Sequence, residues 1–123
     1  MKLVTIALVV CACLLGARNY WQQDVPLRAQ ALENPYASDA TAVAAGEKLF
    51  RRYCAACHGE EAQGDGHAPP LRTRSVESAS PGSLFWLLRN GELDRGMPSW
   101  SKLPEQQRWQ IVTYLKTLPV AGK

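Results

Sequence analysis

The chain has 123 residues, 46% of them hydrophobic, and a formal charge of +3. That length is enough for one small domain plus an N-terminal segment. The charge is mild and scattered, with no run of lysines or arginines, so nucleic acid is excluded as a partner.

Lys2 precedes an apolar run from Leu3 to Ala17. The run has the length of a signal-peptide core and falls short of the ~20 residues a bilayer span needs. Residues 1–17 therefore read as a signal peptide or membrane anchor, and the expected location is the periplasm or cell envelope, soluble or membrane-tethered. Three fates stay open. Neither Val10-Cys11-Ala12 nor Leu15-Gly16-Ala17 is a clean small-x-small cleavage site. Tyr20 and Trp21 suit an interface and would favour a retained anchor. Cys13 would be the point of attachment if the chain were lipidated. Otherwise Cys11 and Cys13 are small apolar residues in a greasy segment, and no structural disulfide is expected.

Residues 18–38 mix Gln, Pro, Arg and Asn without a helical or alternating period. They read as a linker, with a short helical stretch at Pro26 to Leu32, that would hold the domain off a membrane if the N-terminus is kept. Asp39 then suits an N-cap, and Val43, Gly46, Leu49, Phe50 and Tyr53 follow at helical spacing up to Cys54. Gly46, Phe50 and Cys54 are four apart and share one face, where the glycine admits a second helix beside the aromatic ring.

Cys54, Ala55, Ala56, Cys57 and His58 spell CxxCH, the attachment site of c-type haem, in which both thiols add to the haem vinyls and the histidine ligates iron. Two residues between the cysteines span the two vinyl positions, and the adjacent histidine then lies under the ring. Two rival readings are weaker. A thioredoxin-like CxxC needs alternating strands and helices, and no strand pattern is present. A structural zinc site on Cys54, Cys57, His58 and His67 would set a histidine directly beside a cysteine, which is not the usual zinc spacing. A buried haem would also supply interior that so small a domain lacks.

After the motif, Gly64, Gly66, Pro69 and Pro70 punctuate a loop. Ser80 as cap, Pro81 in the first turn, the run Leu84 to Leu88 and Gly91 as the stop predict a helix. Met97 is the only methionine besides Met1. Pro104 suits a first helical position, and Trp109, Ile111, Val112, Tyr114, Leu115 and Leu118 make an apolar face that ends before Pro119. The first and last helices are expected to cross. The fold class is all-α, with the haem domain over residues 39–119 and a tail over 120–123.

Over residues 39–119 the chain closely resembles the class I cytochrome c family. The features that carry the likeness come in order: the helix with Gly46 and Phe50, CAACH, the loop Ala68-Pro69-Pro70-Leu71, Gly96-Met97-Pro98 and an aromatic-rich final helix. The resemblance implies crossing terminal helices around one covalent haem c, with His58 as proximal and Met97 as distal iron ligand. It further implies that the Pro69 carbonyl hydrogen-bonds His58 and that Leu71 packs on the ring. Pro70 stands where the family is usually polar or variable, which leaves the register of that carbonyl open by one residue.

Methionine sulfur is a neutral, soft donor that favours ferrous iron, so a His/Met pair raises the reduction potential relative to two histidines. Pro98 stiffens the loop that presents Met97, and Gly96 gives its backbone room. His67 is the competing sixth ligand, although it would have to reach the opposite face of the ring. Trp100, Trp86, Arg72 and Arg74 are candidates for the haem propionates, with Trp100 preferred because it lies in the ligand loop. The expected function is single-electron transfer between a redox donor and an acceptor protein, by a monomer or a subunit of a complex, with no catalysis of its own. The alternatives are a ligand-binding or peroxidatic protein with a displaceable Met97, and a fixed electron-transfer subunit of a dehydrogenase or oxidase complex.

Overall fold

The computed structural model describes residues 20–122. The apolar N-terminal segment, with its three possible fates, lies outside them. A 3₁₀ turn at Tyr20–Gln22 leads to six α-helices: α1 Leu27–Gln30, α2 Ala40–Tyr53, α3 Ala55–His58, α4 Arg74–Ser78, α5 Pro81–Asn90 and α6 Glu105–Leu115, with a second 3₁₀ turn at Leu93–Arg95 between the last two. Among the described residues there is no strand beyond one bridge, between Glu92 and Met97. Nor is any helix there long and apolar enough to cross a membrane.

Local chemistry accounts for the helix ends. The Asp39 carboxylate accepts from the Thr41 and Ala42 amides at 2.8 and 3.1 Å, satisfying two of the donors that a helix start leaves open. Ser80 does the same for α5 by accepting from Ser83 N at 3.1 Å, with Pro81 in the first turn. At its other end Gly91 leaves the helix with φ +68°, a conformation glycine adopts without strain. Pro104 stands one residue earlier than expected, as the residue preceding α6.

Helices α2 and α6 cross. The buried face of α2 is Ala42, Gly46 and Phe50. At Gly46 the approach is so close that a Cβ would overlap the Gln110 carbonyl oxygen and stand 2.9 Å from Tyr114 Cβ. The Phe50 ring meets Tyr114 with centroids 5.5 Å apart. Phe50, Ile111 and Val112 are the largest fully buried side chains described, each contributing about 1.5–3 kcal/mol by leaving water. Phe85 of α5 stacks on Trp109 of α6, centroids 3.9 Å apart, which joins the third long helix to the crossing pair.

The segment read as a linker is instead packed on the domain. Val25 and Ala29 are buried, Trp21 Nε1 donates to Ser75 Oγ at 3.1 Å, and the Asn34 amide donates to Thr113 Oγ1 at 2.8 Å. Gly82 of α5 makes the docking possible, because a Cβ there would overlap the Ala29 carbonyl oxygen. The short helix expected from Pro26 to Leu32 is α1, and its buried residue is Ala29. At the other end the tail is tied down as well. Ala121 N donates to the Arg72 carbonyl at 2.9 Å, and Arg72 Nε donates to the Pro119 carbonyl at 3.1 Å.

Candidate functional site

Helix α2 delivers Cys54, whose backbone (φ −117°, ψ −33°) turns the chain directly into α3. Ala55 faces inward and is buried, while Ala56 and Cys57 are exposed. His58 ends α3, and Gly59 breaks it with φ +87°. The following loop is pinned at three points. Gly64 N donates to the His58 carbonyl at 2.6 Å, Leu71 N donates to the Ala62 carbonyl at 2.9 Å, and His58 Nδ1 lies 2.8 Å from the Pro69 carbonyl oxygen. That last contact resolves the register in favour of Pro69. A carbonyl can only accept, so Nδ1 carries the proton and Nε2 keeps its lone pair free.

Met97 is presented by a tight turn on the end of α5. Glu92 and Met97 exchange both backbone bonds, at 3.0 and 3.1 Å. Gly91 is required there, since a Cβ would stand 2.6 Å from the Met97 carbonyl oxygen and 2.7 Å from Pro98. Gly96 closes the turn in the left-handed region, φ +85°. Beyond it, Trp100 N donates to the Leu88 carbonyl at 2.8 Å and Ser99 Oγ to the Arg89 carbonyl at 2.5 Å. The Trp100 ring lies against Tyr53, centroids 5.4 Å apart.

These loops enclose a cavity of about 800 Å³, toward the upper end of the ~300–1,000 Å³ typical of ligand sites. Phe50, Leu84, Leu88, Ile111 and Leu115 make its walls apolar, and Cys54, Cys57, His58, Pro69, Leu71, Met97 and Trp100 all border it. Two thiols, an imidazole with a free nitrogen and a thioether around one apolar space fit a covalent haem. Burial, helped by the neighbouring Cys57, pushes the free Cys54 thiol up to about 12. Such a thiol stays protonated at neutral pH, the opposite of what a thioredoxin-like nucleophile needs. The zinc reading also fails geometrically, because no group of three or more His, Cys, Asp or Glu side chains among the described residues is arranged to hold a metal ion.

Other expected neighbours divide. Arg74 borders the cavity but its Nη1 is bonded to Glu77 Oε2 at 3.0 Å. Trp86 and Arg72 do not border it. His67 stands at the rim with its side chain 84% exposed, 3.4 Å from Asp65. Two features went unforeseen. Tyr20 and Trp21 border the cavity, and Arg108 is buried, its Nη1 donating to the Ser101 and Leu103 carbonyls at 3.0 and 2.8 Å. Nothing in the spacing announced either: the first depends on contacts with distant segments, the second on the path of the loop just before α6.

An all-α domain with crossing terminal helices, CxxCH at the end of the first and a methionine turn on the same apolar cavity defines a c-type cytochrome domain. Residues 41–115 match the family described as cytochrome C oxidase, cbb3-type, subunit III, and the chain belongs to that family. Cytochrome c550 of Pseudomonas aeruginosa is 33% identical over 106 residues, 81% of this chain and 68% of that protein. The cbb3-type cytochrome c oxidase subunit CcoP of Azospirillum brasilense is 37% identical over 76 residues, 56% of this chain but only 25% of the larger protein. In structure the chain is similar to cytochrome CL of Methylophaga aminisulfidivorans, with a TM-score of 0.62 and 27% identity, covering 71% of this chain and 59% of that one. The protein is a monohaem electron-transfer cytochrome, and its cofactor is covalently attached haem c.

Proposed function

We propose that this chain carries single electrons in the cell envelope at a haem c joined to Cys54 and Cys57 and ligated axially by His58 and Met97. Haem c, when attached, supplies an iron that alternates between its ferric and ferrous states. The chain's residues hold that chemistry in place. The Pro69 carbonyl keeps the proton on Nδ1 of His58, which orients the ring and raises the basicity of Nε2. The bridge between Glu92 and Met97 fixes the backbone that presents the thioether. The apolar walls exclude water, which lowers the reorganisation that accompanies each electron. Leu71 would pack on the ring, and Trp100, whose ring is already seated against Tyr53, would face a propionate.

The observation that carries this reading is the one cavity shared by His58, with a free Nε2, and Met97. With His58 and Met97 both holding the iron, no site would be left for a substrate, which suits outer-sphere transfer to a docked donor and acceptor rather than catalysis. A peroxidatic site would need a distal acid–base group, and His67 is turned to solvent beside Asp65. Whether the chain shuttles alone or stays in a dehydrogenase or oxidase complex follows from its partners, which capture from native membranes would identify.

Met97→Ala is the test. The sulfur-to-iron charge-transfer band should vanish, the potential should fall, and carbon monoxide should bind the reduced protein rapidly. An unchanged spectrum would remove Met97 as the ligand.

A further inference from the structure

The family match starts at residue 41, yet the mouth of the cavity is bordered by an earlier part of the chain. Tyr20 and Trp21 meet the cavity alongside Arg95 and Met97. Tyr20 is 63% exposed, and its ring lies under the Arg95 guanidinium, whose Cζ is 4.0 Å from the ring centroid. One residue further, Trp21 Nε1 donates to Ser75 Oγ at 3.1 Å, and Gln22 Nε2 donates to the Ser75 carbonyl at 3.2 Å. Arg95 belongs to the Met97 turn, and Ser75 belongs to α4. A single three-residue turn thus grips both lips of the cavity.

The tip of the Met97 lip, Leu93 to Arg95, is its least anchored part, since the base is already tied to α5 through Ser99 and Trp100. The ladder to Glu92 is local, and none of Leu93, Asp94 and Arg95 is buried, so packing of these residues does not hold the turn down. The contact between Arg95 and Tyr20 ties the turn to a point 75 residues away in the chain.

We propose that the Tyr20–Gln22 turn is a clasp across the cavity mouth that holds the Met97 turn closed, so that Tyr20 and Arg95 are positioning residues for the retention of Met97. The proposal rests on Met97 being the distal ligand. When the clasp opens, the turn lifts and an added ligand competes with the thioether. A cation over an exposed aromatic ring contributes a modest attraction, equivalent to about a two- to fivefold shift in such an equilibrium.

The experiment uses the intact haem-loaded protein and imidazole as the competing ligand, with displacement followed by loss of the sulfur-to-iron band and the reduction potential measured in parallel. Tyr20→Ala and Arg95→Gln should each lower the apparent imidazole Kd about two- to fivefold, and the double variant should go no further than the larger single effect. Tyr20→Phe, which keeps the ring, and Leu27→Ala, an exposed change in the same segment, should match the parent. If Tyr20→Ala and Arg95→Gln leave imidazole binding unchanged, or if their effects multiply in the double variant, the clasp is overturned. If Met97→Ala leaves the parent spectrum unchanged, the ligand assignment fails first and the clasp falls with it.

Discussion

Replacing Gly46 by alanine tests the helix crossing that carries the whole site. In an unpacked helix the change would stabilise, because alanine is favoured over glycine by about 1 kcal/mol. Here the new Cβ would stand 2.6 Å from the Gln110 carbonyl carbon and 2.9 Å from Tyr114 Cβ, and would overlap the Gln110 oxygen. The obstacle is helix backbone, so no rotamer change relieves it and α6 must shift as a body. Overpacking of a core costs about 1–3 kcal/mol, and a backbone obstacle puts this site at the upper end. The net is a loss of about 2 kcal/mol, or ~8–16 °C in Tm for a domain of this size. Thermal unfolding of the haem-loaded protein by far-ultraviolet circular dichroism measures it. Ala44→Gly, on the exposed side of the same helix, gives the comparison and should cost about 1 kcal/mol through propensity alone. A Gly46→Ala protein as stable as its parent, or more so, would refute the close crossing.

Three further outcomes are expected. Cys57→Ala should leave a haem held by Cys54 alone, seen as a shifted pyridine haemochrome band; a spectrum identical to the parent would contradict attachment at Cys57. Arg108→Leu strips the Ser101 and Leu103 carbonyls of their donor and should cost about 2 kcal/mol in urea unfolding, with Arg108→Lys recovering part of it. The His67 backbone amide holds the Asp65 carboxyl below the usual aspartate range. Its contribution is present above the ordinary carboxylate value and is lost as pH falls through the lowered folded one. The protection of the His67 amide, measured as its hydrogen-exchange rate relative to the intrinsic rate at each pH, should therefore fall on acidification through that window, and Asp65→Asn should flatten the dependence.

The sequence is informative where a signal is local. Asp39, Ser80 and Gly91 mark helix ends because capping depends on residues within one turn of each other, and CxxCH is contiguous. Gly46 signals the crossing because a glycine on an otherwise apolar face has few uses other than close approach. Most of what stayed hidden depends on contacts between distant parts of the chain. The α-helical part of residues 20–38 is only four residues long, too short for a periodic pattern, and the segment's partners Ser75, Gly82 and Thr113 lie 50 to 80 positions away. For that reason a packed segment reads as a linker. Arg108 looks like a surface charge on a helix, and only the bend of residues 101–103 back over it shows that it holds two carbonyls.

The hydrogen bond on His58 has a consequence for how the protein can vary. Its acceptor is a main-chain oxygen, so no side-chain replacement at Pro69 deletes it, and the imidazole orientation is buffered against the commonest kind of mutation. Variation must enter through whatever sets the path of the loop. Gly64 is such a point, since it combines φ +79° with space for a Cβ only 2.9 Å from Pro70 N. A change there would move the prolines and, through them, the imidazole, so that drift at one exposed loop would re-aim His58 while the CxxCH motif itself stays the same.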